Sequence, residues 1–117
     1  MLFRSRYAVA DDAHPLAGRW VPDFAVVSAE GTRRVAELAR NGKPLLIDLT
    51  DGAVVAAAAA GIADRITVAV GRPAGDVSAT ALLVRPDGYV AWASSEPNPA
   101  TDDLRAVLAQ WFGIMLP

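Results

Sequence analysis

Two apolar stretches dominate the hydrophobic pattern of the chain, and both predict strands. The run KPLLIDLT at residues 43–50 is almost continuously hydrophobic and is followed by an Asp-Gly pair, which is typical of a short strand covered on both faces. The run ALLVRPDGYVAWAS at residues 81–94 holds two β-rich segments that meet at Asp87 and Gly88, which favour a tight turn. We therefore predict a central strand and, from the second run, a β-hairpin.

Weaker patterns predict the elements around these strands. Apolar residues at helical spacing indicate three helices, for which Thr32, Asp51 and Thr101 are the candidate N-caps. Glu30 with Arg34, and Arg33 with Glu37, stand four residues apart and indicate a solvated helix face with no anion site. The expected elements are a strand at 24–28, a helix from Thr32 to Arg40, a helix from about 53 to 60, a strand at 66–70, a loop at 71–76 and a helix from about Thr101.

The order of these elements predicts an α/β fold with a mixed central sheet. Strands that flank a helix of about ten residues are joined by parallel, right-handed crossovers, so 24–28 and 44–50, with 66–70 as a further candidate, belong to βαβ units. The hairpin then joins the same sheet antiparallel. A βαβ unit followed by ββα, with helices on both faces, is the thioredoxin arrangement. We expect residues 1–22 to form an extended lead-in anchored by Leu16 and Trp20, and residues 23–117 to form the domain.

The composition of the chain excludes several kinds of site and partner. The 117 residues suffice for one domain with its own core. The chain contains no cysteine, which excludes disulfides, thiolate zinc sites and thiol redox chemistry. The net charge is −2 and the longest basic run is Arg33-Arg34, so nucleic-acid binding is not expected. The longest apolar run, residues 53–63, is about half of a membrane span, and the sequence predicts a cytoplasmic protein with no membrane partner.

The close of the central strand resembles that of thioredoxins. Ile47-Asp48-Leu49 is similar to the strand that ends in a buried aspartate before the redox loop of that family. The resemblance implies that the two cysteines of the C-x-x-C motif would fall at Val54 and Ala57, which cannot form or attack a disulfide. It also places Thr80 at the position of the cis-proline of the family, so we expect a trans peptide bond there.

A second resemblance covers residues 14–113. The runs HPLAGRWVPD at 14–23, GTRRVAEL at 31–38, KPLLIDLT at 43–50 and ALLVRPDGYVAW at 81–92 resemble the C-terminal domain of FAD-dependent aromatic hydroxylases, which oxygenate phenols and polyketides. The resemblance implies a thioredoxin-like structural or interface domain without catalysis, which follows the flavin and substrate domains. FAD and NADPH are implied only for the full-length enzymes, because the chain has no G-x-G-x-x-G motif to hold a dinucleotide. Partners would be those domains or a homodimer mate.

Single residues add little chemistry. His14 is the only histidine, and no acid or serine can be placed beside it, so we expect neither a triad nor a zinc site. Asp48 is the one candidate buried carboxylate, and we favour a hydrogen-bonded structural role over proton transfer. Asp102 and Asp103 suit the macrodipole of a helix N-terminus better than a metal or acid pair. No catalytic, cofactor-binding or metal-binding residue is therefore predicted.

The tryptophans provide the remaining candidates. We expect Trp92 and Trp111 to be core residues, whereas Trp20, in the proline-rich lead-in, is the candidate for a docking surface. The predicted interface consists of Arg19, Trp20, Pro22 and Asp23. An alternative function is a free-standing thioredoxin-like module that binds a small aromatic ligand between the sheet and the helix at 53–63. A redox enzyme is a third class, for which we expect no turnover.

Overall fold

The computed structural model describes residues 16, 18–62, 64–75, 77–97, 99 and 101–113, apart from the side chains of residues 41, 111 and 112. His14 and most of the predicted lead-in therefore lie outside the described residues, as does the predicted burial of Trp111. The elements are β1 (Ala25–Ser28), β2 (Gly31–Arg34), α1 (Val35–Leu38), β3 (Leu45–Asp48), α2 (Val54–Ala58), β4 (Thr67–Val70), β5 (Arg72–Ala74), β6 (Ala81–Val84), β7 (Val90–Ser94) and α3 (Asp102–Phe112), with 3-10 turns at Ala39–Asn41 and Ala60–Ile62.

The central sheet has the predicted mixed topology. Its strand order is β4-β3-β6-β7, in which β4 is parallel to β3 across the α2 crossover, and β6 and β7 are antiparallel. Ile47 in β3 faces Leu82 in β6, so the hairpin lies in the same sheet as the central strand. The βαβ unit β3-α2-β4 is followed by β6-β7-α3, which confirms the α/β, thioredoxin-like prediction.

Both faces of the central sheet are covered, because every residue of β3 and β6 is buried. On the face covered by α2 and α3, the sheet residues Leu46, Leu83 and Trp92 belong to one buried cluster with Leu104 and Leu108 of α3. The predicted core position of Trp92 is thus confirmed, with 7% exposure. On the opposite face, residues of the central sheet pack against Val35 of α1 and Val26 of β1. The buried residues of this second cluster are Phe24, Val26, Val35, Leu45, Ile47, Ala79, Leu82, Val84 and Val90.

A second, three-stranded sheet was not predicted. Its order is β2-β1-β5, with both neighbours antiparallel to β1. The prediction that 24–28 joins a parallel βαβ unit is therefore wrong, and so is the loop assigned to 71–76, which contains β5. Arg72-Pro73-Ala74 can pair on one side because proline is tolerated in an edge strand.

The first helix is shorter than predicted. Residues 31–34 form β2, because the chain turns at Ala29-Glu30 and pairs back onto β1 with Val26 facing Arg33. Thr32 is consequently not an N-cap; α1 begins at Val35, and Glu37 accepts a hydrogen bond from the backbone N–H of Arg34 at 3.1 Å. The two predicted charge pairs do not form on a helix face, since Arg33 and Arg34 lie in a strand.

The other helix starts are close to prediction, but their predicted side-chain caps are wrong. Ala53, not Asp51, occupies the N-cap position of α2, and Asp51 is exposed. Thr101 does occupy the N-cap position of α3, although its side chain makes no capping bond. Asp102 and Asp103 lie in the first turn of α3, as expected for side chains that complement the macrodipole. Among the described residues, no helix is long and apolar enough to cross a membrane.

An irregularity in β7 alters the alternation of side chains in the hairpin. Leu83 faces Trp92 while the next residue, Val84, faces Val90, so β7 carries one extra residue. As a result, the consecutive residues Ala91 and Trp92 both pack on the helix-covered face, and Val90 packs on the other.

Candidate functional site

The carboxyl end of β3 leads into the loop where a thioredoxin would carry its cysteines. Asp48 ends β3 and is fully buried. One carboxylate oxygen accepts hydrogen bonds from the backbone N–H and the hydroxyl of Thr50, at 2.9 and 2.6 Å. The other accepts the N–H of Ala56 at 2.7 Å. These three donors satisfy the buried carboxylate, so the predicted burial and hydrogen bonding of Asp48 are observed, and its structural role stays a prediction.

The same network starts α2. The hydroxyl oxygen of Thr50 accepts the N–H of Val54 at 3.2 Å, while Asp48 accepts the N–H of Ala56. Thr50 and Asp48 therefore satisfy N–H groups in the first turn of the helix, a capping role predicted for Asp51. Ala53 adopts a left-handed conformation, with φ of 52°, at the position where the chain enters α2.

The side chains at this loop offer no reactive group. Val54 is half-buried and Ala57 is exposed, and neither can act as an acid, a base or a nucleophile. The peptide bond before Thr80 is trans, as predicted, and the Thr80 hydroxyl donates to the carbonyl oxygen of Glu96 at 2.6 Å. No group of three or more potential metal ligands occurs among the described residues. The loop is held by hydrogen bonds to Asp48 and Thr50, and its residues Val54 and Ala57 support no thiol chemistry.

The lead-in segment docks on the opposite end of the sheet, beside the β6–β7 turn. Gly18 donates its N–H to the carbonyl of Val90 at 2.8 Å, and Val90 donates its own N–H to Arg19 at 2.8 Å. Val21 then donates to the carbonyl of Gly88 at 2.8 Å. Residues 18–21 thus continue the sheet next to the hairpin, which fixes where the side chain of Trp20 lies.

Trp20 forms an exposed aromatic pair with Tyr89. The two ring centroids are 4.1 Å apart and the rings are tilted by 43°. Trp20 keeps 63% of its surface exposed, so the pair contacts solvent over much of the indole. Gly88 has a φ of +95°, and a Cβ atom there would lie 3.1 Å from Cζ3 of Trp20. The ring therefore lies directly on the turn backbone. We call Trp20, Tyr89 and Arg85 the hairpin patch.

Arg85 completes the hairpin patch. Its guanidinium carbon lies 5.9 Å from the Tyr89 ring centroid, and its Nη2 lies 2.7 Å from a carboxylate oxygen of Asp87. The other Asp87 oxygen accepts the N–H of Tyr89 at 3.2 Å. The sequence indicated Trp20 as a docking candidate but not its contact with Tyr89, because that contact depends on the register of the lead-in against β7.

The four predicted interface residues divide between two places. Arg19, Trp20, Pro22 and Asp23 are all exposed, but only Arg19 and Trp20 lie at the hairpin. Asp23 instead pairs with Arg34 at the start of α1, at 2.9 Å. Hydrogen bonding from the Arg34 side chain, together with its positive charge, lowers the pKa of the Asp23 carboxyl below 3.8.

The region between the sheet and α2 is filled by side chains. Leu46, Val55, Ala59 and Ile62 are buried there and pack against one another. A ligand at the position predicted for the alternative binding function would have to displace these core residues. The structure instead has a shallow cleft of about 120 Å³ on the other side of β4, next to the β1–β2 turn.

A family model described as the C-terminal domain of aromatic-ring hydroxylases matches residues 14–114. A 12-dehydrotetracycline 5-monooxygenase/anhydrotetracycline 6-monooxygenase from Streptomyces rimosus is 37% identical over 113 residues, which cover 92% of this chain and 22% of that protein. The match to the family thus extends over both the Asp48 loop and the hairpin patch.

The solved structures that resemble this chain are also aromatic hydroxylases. An aromatic hydroxylase from angucycline biosynthesis is 35% identical with a TM-score of 0.77, and the match covers 96% of this chain and 23% of that one. An aklavinone-11 hydroxylase, solved with FAD and aklavinone, is 25% identical with a TM-score of 0.59, covering 90% of this chain and 25% of that one. The chain spans about a fifth to a quarter of the length of these relatives, and homologous members are FAD-dependent monooxygenases.

Proposed function

The chain belongs to the family of aromatic-ring hydroxylase C-terminal domains, and we propose that it acts as a non-catalytic structural and interface domain for a flavin-dependent aromatic hydroxylase. Its partners in this role are the flavin and substrate domains of such an enzyme. Whether in one polypeptide or between two, the contact would stabilise those domains.

The observation that carries this proposal is the state of the loop between β3 and α2. Asp48 and Thr50 hold the loop and the start of α2 with short hydrogen bonds, while Val54 and Ala57 stand where the resemblance to thioredoxins would place the reactive cysteines. A loop that has a buried polar network but, at Val54 and Ala57, no side chain able to act as a nucleophile can contribute shape and stability. We therefore assign it no step of the hydroxylation reaction.

The hairpin patch is the contact surface that we propose for the partner domains. Trp20 is the most exposed of the large hydrophobic side chains described. Tryptophan, tyrosine and arginine are the residue types most often found at energetic hot spots of interfaces, and the three occur together here. Arg19, which precedes Trp20, is also exposed and enlarges this surface.

FAD and NADPH, in this proposal, bind only to the other domains of the enzyme. The chain lacks the Gly-rich turn that places a pyrophosphate at a helix N-terminus, and α2 begins instead with N–H groups already bonded to Asp48 and Thr50. A cytoplasmic location remains the expectation, based on a sequence without cysteine.

A domain replacement tests the proposal. The Streptomyces rimosus monooxygenase would be prepared intact, without its own C-terminal domain, and as a chimera in which the full 117-residue chain replaces that domain. We expect the chimera to retain FAD and resist heating better than the truncated enzyme. A second chimera carrying an unrelated cysteine-free thioredoxin controls for general solubility. A chimera that retains FAD no better than the truncated form or this control contradicts the proposal.

A further inference from the structure

One long edge of the central sheet is open in the part of the chain that the structure describes. Strand β4 pairs with β3 on one side only. The N–H of Thr67 donates to Pro44 at 2.8 Å and that of Gly71 donates to Asp48 at 3.1 Å. Because alternate residues of a strand direct their backbone groups to the same side, Val68 and Val70 direct theirs away from β3. The edge thus offers two outward N–H and two outward C=O groups.

A cleft lies beside these outward groups. It has a volume of about 120 Å³ and is open to solvent. One wall is β4, and the other is made by the β1–β2 turn and α1. We call it the edge cleft; the lining residues that matter here are Val26, Glu30, Arg33, Leu38, Val68 and Val70.

The edge cleft carries two charged side chains with no ion-pair partner among the described residues. Arg33 and Glu30 are both exposed on its rim. The partner that helical spacing predicted for Arg33 is Glu37, but Glu37 accepts the backbone N–H of Arg34, and Arg34 itself pairs with Asp23. Arg33 therefore has no anionic partner within the part of the chain that the structure describes.

We propose that the edge of β4 and the edge cleft bind an extended segment of the flavin- and substrate-domain polypeptide, which adds to the sheet as a strand beside β4. Its backbone would pair with the outward groups of Val68 and Val70, an apolar side chain would enter the cleft beside Val26, and a carboxylate would meet Arg33. This mode of recognition is strand addition at a sheet edge. The inference rests on the proposed function.

Three observations favour this occupant: the length of the relative that has no counterpart here, the charges on the edge cleft, and the small area that two copies of this chain would bury. Roughly four fifths of the related monooxygenase has no counterpart in this chain and could supply the segment. A single segment can carry both a carboxylate for Arg33 and a cation for Glu30. Two copies of this chain joined only through β4 would bury two strands of four residues, far less than the about 800 Å² per partner of a stable interface.

A peptide scan tests the inference without requiring any truncated enzyme to fold. Overlapping peptides from the flavin and substrate domains of the Streptomyces rimosus relative, each long enough to form a strand of about six residues, would be titrated into the full chain. We expect at least one acidic peptide to bind and to slow amide exchange at Val68 and Val70. Replacing Arg33 by glutamate should weaken that peptide about fivefold, since an exposed ion pair is lost and repulsion is added.

Two further variants isolate the backbone contact. Val68→Pro removes an outward N–H without touching a bond to β3, and should weaken binding about tenfold or more. Val68→Thr keeps that N–H, and Arg105→Glu reverses an exposed charge on α3; both should bind normally. The inference is overturned if no peptide binds, if binding ignores Arg33→Glu and Val68→Pro, or if Val68 and Val70 become protected only by self-association. In each of these cases, a chimera that still retains FAD and resists heating would continue to support the proposed function.

Discussion

The two ends of the central sheet differ in how far their polar and aromatic groups are used within the domain. At the carboxyl end of β3, the Asp48 carboxylate is buried and fully hydrogen-bonded. At the other end, the hairpin patch leaves Trp20 largely exposed on a well-fixed turn. The polar groups at the carboxyl end of β3 are thus used within the domain, whereas the aromatic ring of Trp20 at the hairpin end faces solvent. The difference separates what folds the domain from what remains available to a partner.

The largest effect should come from removing the buried carboxylate. Asp48→Ala leaves two backbone N–H groups and the Thr50 hydroxyl without their acceptor, which should lower the free energy of unfolding by about 3 kcal/mol. Urea unfolding of the full chain measures this loss of unfolding free energy. Asp51→Ala, at an exposed carboxylate of the same loop, should leave the midpoint unchanged. Equal effects of the two substitutions would contradict the structural role assigned to Asp48.

Trp20→Ala should show the opposite behaviour. In the isolated chain it removes mainly the contact with Tyr89, at a cost of about 1 kcal/mol. In the chimera it should cost about 2 kcal/mol more, because hot-spot aromatics dominate interfaces. The loss in the isolated chain is measured from its denaturant midpoint of unfolding, and the loss in the chimera from the denaturant midpoint of FAD release. Val27→Ala, at another exposed apolar residue, is the matched control, and an identical loss in chain and chimera would remove Trp20 from the interface.

Gly88→Ala sharpens the description of the hairpin end. The new methyl group would meet the Trp20 ring at 3.1 Å in a backbone conformation that alanine rarely adopts, and about 1 to 2 kcal/mol of stability should be lost. Gly75→Ala has a similar φ of +108° but no atom within 4 Å. Near-ultraviolet circular dichroism should therefore change for Gly88→Ala and not for Gly75→Ala. An unchanged tryptophan signal in both would contradict the packing of Trp20 on the turn.

The smallest effect concerns pH. Arg34 lowers the pKa of Asp23 in the folded state, so this pair adds stability above pH 3.8 that is lost as the pH falls through the folded-state pKa. In Arg34→Gln, the pKa of Asp23 should rise towards 3.8. A carbon-detected NMR titration of the carboxyl group measures the change, with Arg33→Gln as the neighbouring control. No rise would show that Arg34 does not set the pKa.

The central sheet could be predicted because its signals are local. The apolar run at β3, the Asp-Gly turn of the hairpin and the helical spacing of α3 each arise within a few neighbouring residues. The burial and hydrogen bonding of Asp48 were also predictable, since a carboxylate at the end of a buried strand needs donors and a helix start provides them.

The second sheet and the hairpin patch could not be predicted for the same reason. Strand β1 pairs with β5 across more than forty residues, and no local pattern shows that register. Residues 31–34 have helix-like charge spacing, yet pairing with β1 overrides it. The contact of Trp20 with Tyr89 depends on hydrogen bonds between the lead-in and β7, which likewise join distant parts of the sequence.

The extra residue in β7 constrains recombination of this domain with its relatives. Since Ala91 and Trp92 both point to the α3 side, a crossover that lost one residue within the hairpin would turn the indole of Trp92 towards the opposite layer. Exchange between homologues should therefore move β6, the turn and β7 as one block, with junctions outside residues 81–94.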